Sequence, residues 1–114
     1  MKKIYLACPY SSPDPFVRAE RFEAANKAAG SLMKRGHIVF SPLSHSVPVA
    51  KHMPHTELDL DFWLDQDLEF VEWCDELFVL MVSGWDLSTG VKKEIDHARS
   101  LGKVVIYADP DKLK

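Results

Sequence analysis

Short apolar runs of strand length alternate with helical patterns along this 114-residue sequence. The runs cover residues 3–7, 37–40, 77–82 and 103–107, and turn residues bound each of them. Such runs are typical of buried strands, and strands that alternate with helices usually form a parallel sheet, because each crossover needs a long connection. We therefore predict a single α/β domain over residues 1–114, a small doubly wound three-layer sandwich with a parallel sheet of four to five strands.

The predicted strand order, 2-1-3-4, brings two loops together. In flavodoxin-like and Rossmann-like folds, ligands bind outside the carboxyl ends of the strands, where neighbouring connections leave toward opposite faces of the sheet. In this order that point lies between the first and third strands. Residues 5–12 and 84–94 would share one crevice there, which is where we expect the ligand.

The helical segments carry recognisable boundary signals. Asp14 is a predicted N-cap with Pro15 at the first helical position, and Gly36 follows the end of that helix. A capping box at residues 56–59 predicts a helix that runs to about residue 74. Residues 41–55 contain three prolines and no sustained periodicity, so we predict a long functional loop with about one helical turn.

A carboxylate stands near the start of the last predicted helix. Ser88 or Thr89 can cap this helix, and Gly90 leaves room for a ligand close to the backbone. Glu94 follows in the second turn, where the helix dipole is expected to hold it ionised, as suits a nucleophile or an electrostatic stabiliser. The alternative is an ordinary surface glutamate paired with a lysine.

A second carboxyl lies on the apolar side of the preceding helix. Asp67 is spaced four residues from Trp63 and three from Phe70. Burial of a carboxyl is costly without a partner or a function, and desolvation would raise its pKa toward that of a proton donor. The other acidic residues of this helix form a predicted solvated face: Asp61, Asp65, Glu69 and Glu72.

The charge and cysteine content exclude several classes of function. Fourteen Lys and Arg against seventeen Asp and Glu give a net charge of −3, so we expect no nucleic-acid partner. Cys8 and Cys74 lack metal or redox spacing, and no signal peptide or membrane-spanning apolar run is present, which predicts a cytoplasmic protein with reduced thiols and no membrane association. His52 and His55 lack further ligands at zinc-site spacing, so we expect neither a metal nor another cofactor.

Three segments resemble the nucleoside 2-deoxyribosyltransferase superfamily. Residues 4–11, Ile-Tyr-Leu-Ala-Cys-Pro-Tyr-Ser, are similar to its opening strand and loop, and residues 88–94 are similar to its nucleophile motif. Asp67 matches the position of the superfamily's second acidic residue. Residues 41–45 and 84–85 resemble the short members of unknown function, and the resemblance spans most of the chain.

The resemblance implies a set of catalytic roles. Glu94 would attack C1′ of a nucleoside sugar, Asp67 would protonate or orient the departing base, and Tyr5 would hydrogen-bond near Glu94. As in a retaining glycosidase, a covalent glycosyl-enzyme intermediate would be resolved by a second base or by water. Cys8 replaces the usual glycine of the superfamily, and Ser88 stands where the transferases often have aspartate.

The implied activity is that of a nucleoside deoxyribosyltransferase or a nucleoside or nucleotide N-glycosidase, acting on a nucleoside or its 5′-monophosphate. A homo-oligomer, dimeric or higher, is also implied, because members of the superfamily build their sites between neighbouring chains. The alternative is a non-catalytic nucleotide-binding or sensing module that uses the same crevice.

Other side chains become candidates for substrate contacts. Ser11, Ser12 and Arg18 could hold a 5′-phosphate at the start of the first helix, or only cap that helix. His45 could contact the sugar or base, or only its own backbone, and Trp85 could stack on a base or fill its loop. The remaining expected contacts come from Cys8, Pro9, Tyr10, Ser88 and Gly90.

Overall fold

A computed structural model describes residues 1–53 and 60–113, and these residues contain a four-stranded parallel sheet. The strands are β1 (Lys3–Ala7), β2 (Ile38–Phe40), β3 (Glu76–Leu80) and β4 (Val104–Ala108). Their order is β2-β1-β3-β4, and every neighbouring pair is parallel. The predicted α/β fold and strand order are confirmed, and each strand boundary lies within two residues of its predicted place.

Four α-helices and two short 3₁₀ turns connect or follow the strands within the described residues. The helices are α1 (Pro15–Lys34), α2 (Pro42–Ala50), α3 (Leu60–Trp73) and α4 (Thr89–Ser100), and the 3₁₀ turns cover Trp85–Leu87 and Pro110–Leu113. The predicted start of α1 is confirmed, because the Asp14 side chain accepts a hydrogen bond from the Phe16 N–H at 2.9 Å. The capping box predicted at residues 56–59 lies outside the described residues.

The prediction of a long loop over residues 41–55 is wrong, because this segment contains α2. Pro42 occupies the first helical turn, where a missing N–H costs nothing, and Pro48 lies close to the end of the helix. The Ser44 hydroxyl is hydrogen-bonded to Asn26 on α1 and lies 2.8 Å from the Ser41 hydroxyl. The tertiary contact with Asn26 stabilises a short helix that its own sequence specifies poorly.

The sheet is covered on both faces, which confirms the three-layer arrangement. Side chains of β1 alternate between the faces: Ile4 and Leu6 pack toward α1, whereas Tyr5 and Ala7 pack toward α3 and α4. All four are almost wholly buried. No helix in the described part of the chain has both the length and the apolar character needed to cross a membrane.

Candidate active site

A cavity of about 590 Å³ lies at the carboxyl ends of β1 and β3. Its walls come from the loops that follow these strands, from α2 and α3, and from the first two turns of α4. The volume is within the usual range of about 300 to 1,000 Å³ for small-molecule sites. The cavity therefore occupies the place that the strand order predicts for a ligand.

Glu94 projects from α4 into this cavity and is only 6% exposed. The N-cap of this helix is Ser88, whose hydroxyl accepts a hydrogen bond from the Val91 N–H at 3.2 Å. Tyr5, which is wholly buried on β1, donates its phenolic hydrogen to Oε2 of Glu94. Because one carboxyl oxygen is held by Tyr5, the side chain is fixed in orientation and its other oxygen is left for the cavity.

Asp67 lines the same cavity from α3 and is half-buried. The buried face of α3 is formed by Leu64 and Val71, and Cys74, also buried, follows the helix. Phe70, predicted on that face, is instead 37% exposed and stacks on Phe40 of β2 with ring centroids 3.9 Å apart. Asp67 thus faces a mainly apolar wall, as its sequence position predicts.

Both carboxyl groups have raised pKa values, and the charge of Asp67 acts on Glu94. Burial raises the pKa of Glu94 to about 8, the Tyr5 hydrogen bond opposes this rise, and the negative charge of Asp67 adds to it. Burial likewise raises the pKa of Asp67 to about 6. A carboxyl pair with raised pKa values in one cavity is a common feature of catalytic sites.

The prediction that the helix dipole holds Glu94 ionised is wrong, whereas the predicted rise in the pKa of Asp67 is confirmed in direction. Near full burial removes water from the Glu94 carboxylate, and this penalty exceeds the stabilisation from the helix end and from Tyr5. Asp67 retains more contact with water, so its pKa rises less.

Six of the predicted substrate-contact residues line the cavity together with the two carboxyls. They are Cys8, Pro9, Tyr10, Ser11, Ser88 and Gly90. Burial raises the pKa of the Cys8 thiol to about 12, so this side chain is a neutral wall of the cavity at physiological pH rather than a nucleophile.

Four other predicted contact residues do not line the cavity. Arg18 donates a hydrogen bond to the Ser12 carbonyl, so both serve the turn before α1. His45 is exposed beside Phe40, with ring centroids 5.7 Å apart. Trp85 packs against Tyr107 of β4 at 5.4 Å between centroids. For these side chains the structure favours the alternatives of capping and packing.

Sequence reasoning missed an arginine and an aromatic side chain on the cavity wall. Arg21, one helical turn after Arg18, donates from its two terminal nitrogens to the carbonyls of Ser11 and Ser83, each at 2.9 Å. Trp63 lines the cavity from α3. Arg18 and Arg21 are three residues apart, so they lie on the same face of α1, and this spacing could have indicated Arg21 from the sequence.

The described residues hold no group of three His, Cys, Asp or Glu side chains placed to bind a metal ion. His55, considered above as a zinc ligand, lies outside the described residues.

A family model described as a domain of unknown function, DUF1937, matches residues 2–109. The chain belongs to the DUF1937 family. Among solved structures, this DUF1937 chain is similar to a 2-deoxyribosyltransferase from the psychrotolerant bacterium Bacillus psychrosaccharolyticus, with 30% sequence identity and a TM-score of 0.65. The alignment covers 95% of this chain and 72% of that one. A comparison with curated proteins found no significant match.

These comparisons confirm the resemblance to the nucleoside 2-deoxyribosyltransferases. The chain is a member of a domain family of unknown function, and its fold is similar to that of a 2-deoxyribosyltransferase.

Proposed function

We propose that this DUF1937 protein cleaves or transfers the N-glycosidic bond of a nucleoside or a nucleoside 5′-monophosphate. The observation that carries the proposal is the pair of carboxyl groups, Glu94 and Asp67, that face one cavity at the carboxyl ends of β1 and β3. The similarity to a 2-deoxyribosyltransferase supports the substrate class.

In the proposed reaction, the free oxygen of Glu94 attacks C1′ of the sugar while the bond from C1′ to the base nitrogen breaks. Asp67 transfers its proton to the departing base, and Glu94 becomes esterified to the sugar. Water, or a second base, then attacks C1′, gives its proton to Asp67 and releases Glu94. Tyr5 keeps Glu94 aligned because it holds the other carboxyl oxygen.

This reaction needs Glu94 ionised and Asp67 protonated, whereas burial raises the pKa of Glu94 further than that of Asp67. Catalysis therefore requires a proton shift from Glu94 to Asp67. Developing positive charge at C1′ would favour the ionised form of Glu94, because an opposite charge in a water-poor site lowers the pKa of a carboxyl. The proton shift is therefore compatible with catalysis.

The apolar wall of the cavity supports the assignment of a base-binding side. Trp63 and Leu64 of α3 line it together with Leu87 of the loop after β3. An indole ring offers a flat face to a planar heterocycle, which suits stacking. We propose Trp63 for the role that the sequence suggested for Trp85.

The test is incubation of the protein with a panel of nucleosides and nucleoside 5′-monophosphates, followed by chromatography for free base. Glu94→Gln and Asp67→Asn keep the shape of their side chains, so we expect folded variants that lose at least about a hundredfold in the rate of base release. Glu69→Gln changes an exposed carboxylate of α3 and should leave the rate unchanged. Base release at the wild-type rate by Glu94→Gln would refute the proposed role.

A second candidate is a nucleotide-binding module without turnover. Its support is the burial of Glu94, which raises the pKa of this carboxyl and so disfavours the ionised form that attack on C1′ needs. Calorimetry that shows tight nucleotide binding, with no base released over hours at any pH between 5 and 9, would favour this candidate over the enzyme.

We also propose a homo-oligomer. Leu87 lines the cavity although it is 86% exposed in the single chain, as expected of an apolar side chain that a neighbouring copy covers. Light scattering coupled to size-exclusion chromatography tests this, and a monomer at micromolar concentration would contradict it.

A further inference from the structure

We propose that Arg21 is a positioning residue that sets the separation of the two loops forming the crevice. Its side chain leaves α1 and reaches the cavity, where it joins backbone from two distant parts of the chain. The kinetic part of this inference rests on the proposed function, whereas its structural part does not.

The hydrogen bonds of Arg21 connect the loops after β1 and β3. One terminal nitrogen donates to the carbonyl of Ser11, and the other donates to the carbonyl of Ser83, each at 2.9 Å. The planar guanidinium fixes the directions of both bonds at once, which the single ammonium nitrogen of lysine does not. Since Ser11 and Gly84 both line the cavity, the spacing of these two carbonyls helps to set its width.

The loop after β3 is shaped to admit this guanidinium. Gly84 adopts φ +88°, and a Cβ at this position would lie 2.5 Å from Nη2 of Arg21. A side chain at residue 84 would therefore be strained in its backbone and would also displace the arginine. The close approach shows that the loop and the guanidinium fit each other.

The same loop is anchored at a second point. Trp85 packs on Tyr107, which also accepts a hydrogen bond from Arg99 at 2.7 Å. From this loop the chain enters α4, the helix that carries Glu94. Arg21 thus acts on the reaction indirectly. It holds the loop after β3 close to the loop after β1, and the loop after β3 sets the position of α4 and of Glu94.

A rival role for Arg21 is direct contact with an anionic group of the substrate. The two roles differ in what a lysine can replace. Lysine keeps the positive charge and would preserve much of an anion contact, but it lacks the fork that joins the two loops. An anion contact also matters only for substrates that carry the anion.

The experiment compares Arg21→Lys and Arg21→Met with wild type by hydrogen exchange and by kinetics. We expect amide exchange over residues 83–88 to be about tenfold faster or more in both variants, because the bonds that hold the loop are lost. Arg35→Lys is the matched control, since Arg35 also donates to a carbonyl, that of Lys112, but does not line the cavity. This control should not change exchange over residues 83–88.

In the kinetic assay we expect each Arg21 variant to lose the same factor, within about threefold, for a nucleoside and for its 5′-monophosphate. Unchanged exchange over residues 83–88 would overturn the positioning role, and so would a loss confined to the monophosphate. If wild type releases no base from any substrate, the proposed function fails, but the exchange measurement still decides the role of Arg21.

A double-mutant cycle provides a second measurement. Gly84→Ala should speed amide exchange over residues 83–88 by a larger factor in the wild-type background than in the Arg21→Met background. In the Arg21→Met background there is no guanidinium for the new Cβ to displace. Equal factors in the two backgrounds would show that the fit between residue 84 and Arg21 does not hold the loop, and would overturn the inference.

Discussion

Replacement of Glu94 by glutamine should stabilise the protein at alkaline pH while it removes activity. Burial raises the pKa of Glu94 in the folded protein to about 8 from an ordinary value of 4.5. As pH rises above 4.5, the unfolded chain releases this proton and the folded chain keeps it, so the unfolded state is increasingly favoured. The loss of stability continues up to about pH 8 and then levels off.

The size of the effect follows from the difference between the two pKa values. It corresponds to a loss of up to about 4 kcal/mol from the wild-type free energy of unfolding between pH 4.5 and pH 8. Glutamine does not titrate, and its side-chain oxygen can still accept the hydrogen bond from Tyr5. At pH 8, Glu94→Gln should therefore melt roughly 15 °C above wild type, whereas the two should be similar at pH 4.5.

Differential scanning calorimetry of both proteins across pH 4.5 to 9 measures this directly. Glu69→Gln serves as the control, because it makes the same chemical change at an exposed position of α3. A variant that is less stable than wild type at pH 8 would refute the reasoning. A stabilisation of the same size at every pH would also refute it, because titration of Glu94 would then not be the cause.

Three further predictions concern the same cavity. The rate of base release should depend on pH as a bell with apparent pKa values near 6 and 8, because activity needs one proton on the Asp67 and Glu94 pair; a rate that is flat from pH 5 to 9 would contradict this. Tyr5→Phe should lower that rate by about ten- to a hundredfold and move the alkaline limb of the profile to higher pH. The hydrogen bond from Tyr5 lowers the pKa of Glu94, so its loss should raise that pKa; an unmoved limb would count against the contact. Cys8 should resist iodoacetamide at pH 8 in the folded protein, because burial raises the pKa of its thiol to about 12, and mass spectrometry would detect any labelling.

The sequence alone determined the fold and the general place of the site. Short apolar runs between the helical segments predicted the four strands, because a parallel strand that is covered on both faces is apolar along its length. The strand order then placed the loops after β1 and β3 beside each other, and Glu94 and Asp67 both line the cavity found there. These features follow from local pattern and from topology.

Other features of the site depend on contacts between distant residues, which local pattern does not specify. Residues 41–55 lacked helical periodicity, yet contacts with α1 stabilise α2 over part of this segment. The pKa of Glu94 is raised rather than held low by the helix end, because the depth of burial of Glu94 depends on Tyr5 and the surrounding core. Arg21 became part of the cavity because its guanidinium meets carbonyls from Ser11 and Ser83, which lie 72 residues apart in the sequence. Tertiary packing decided these points, since it sets how much water reaches each charge and which distant groups become neighbours.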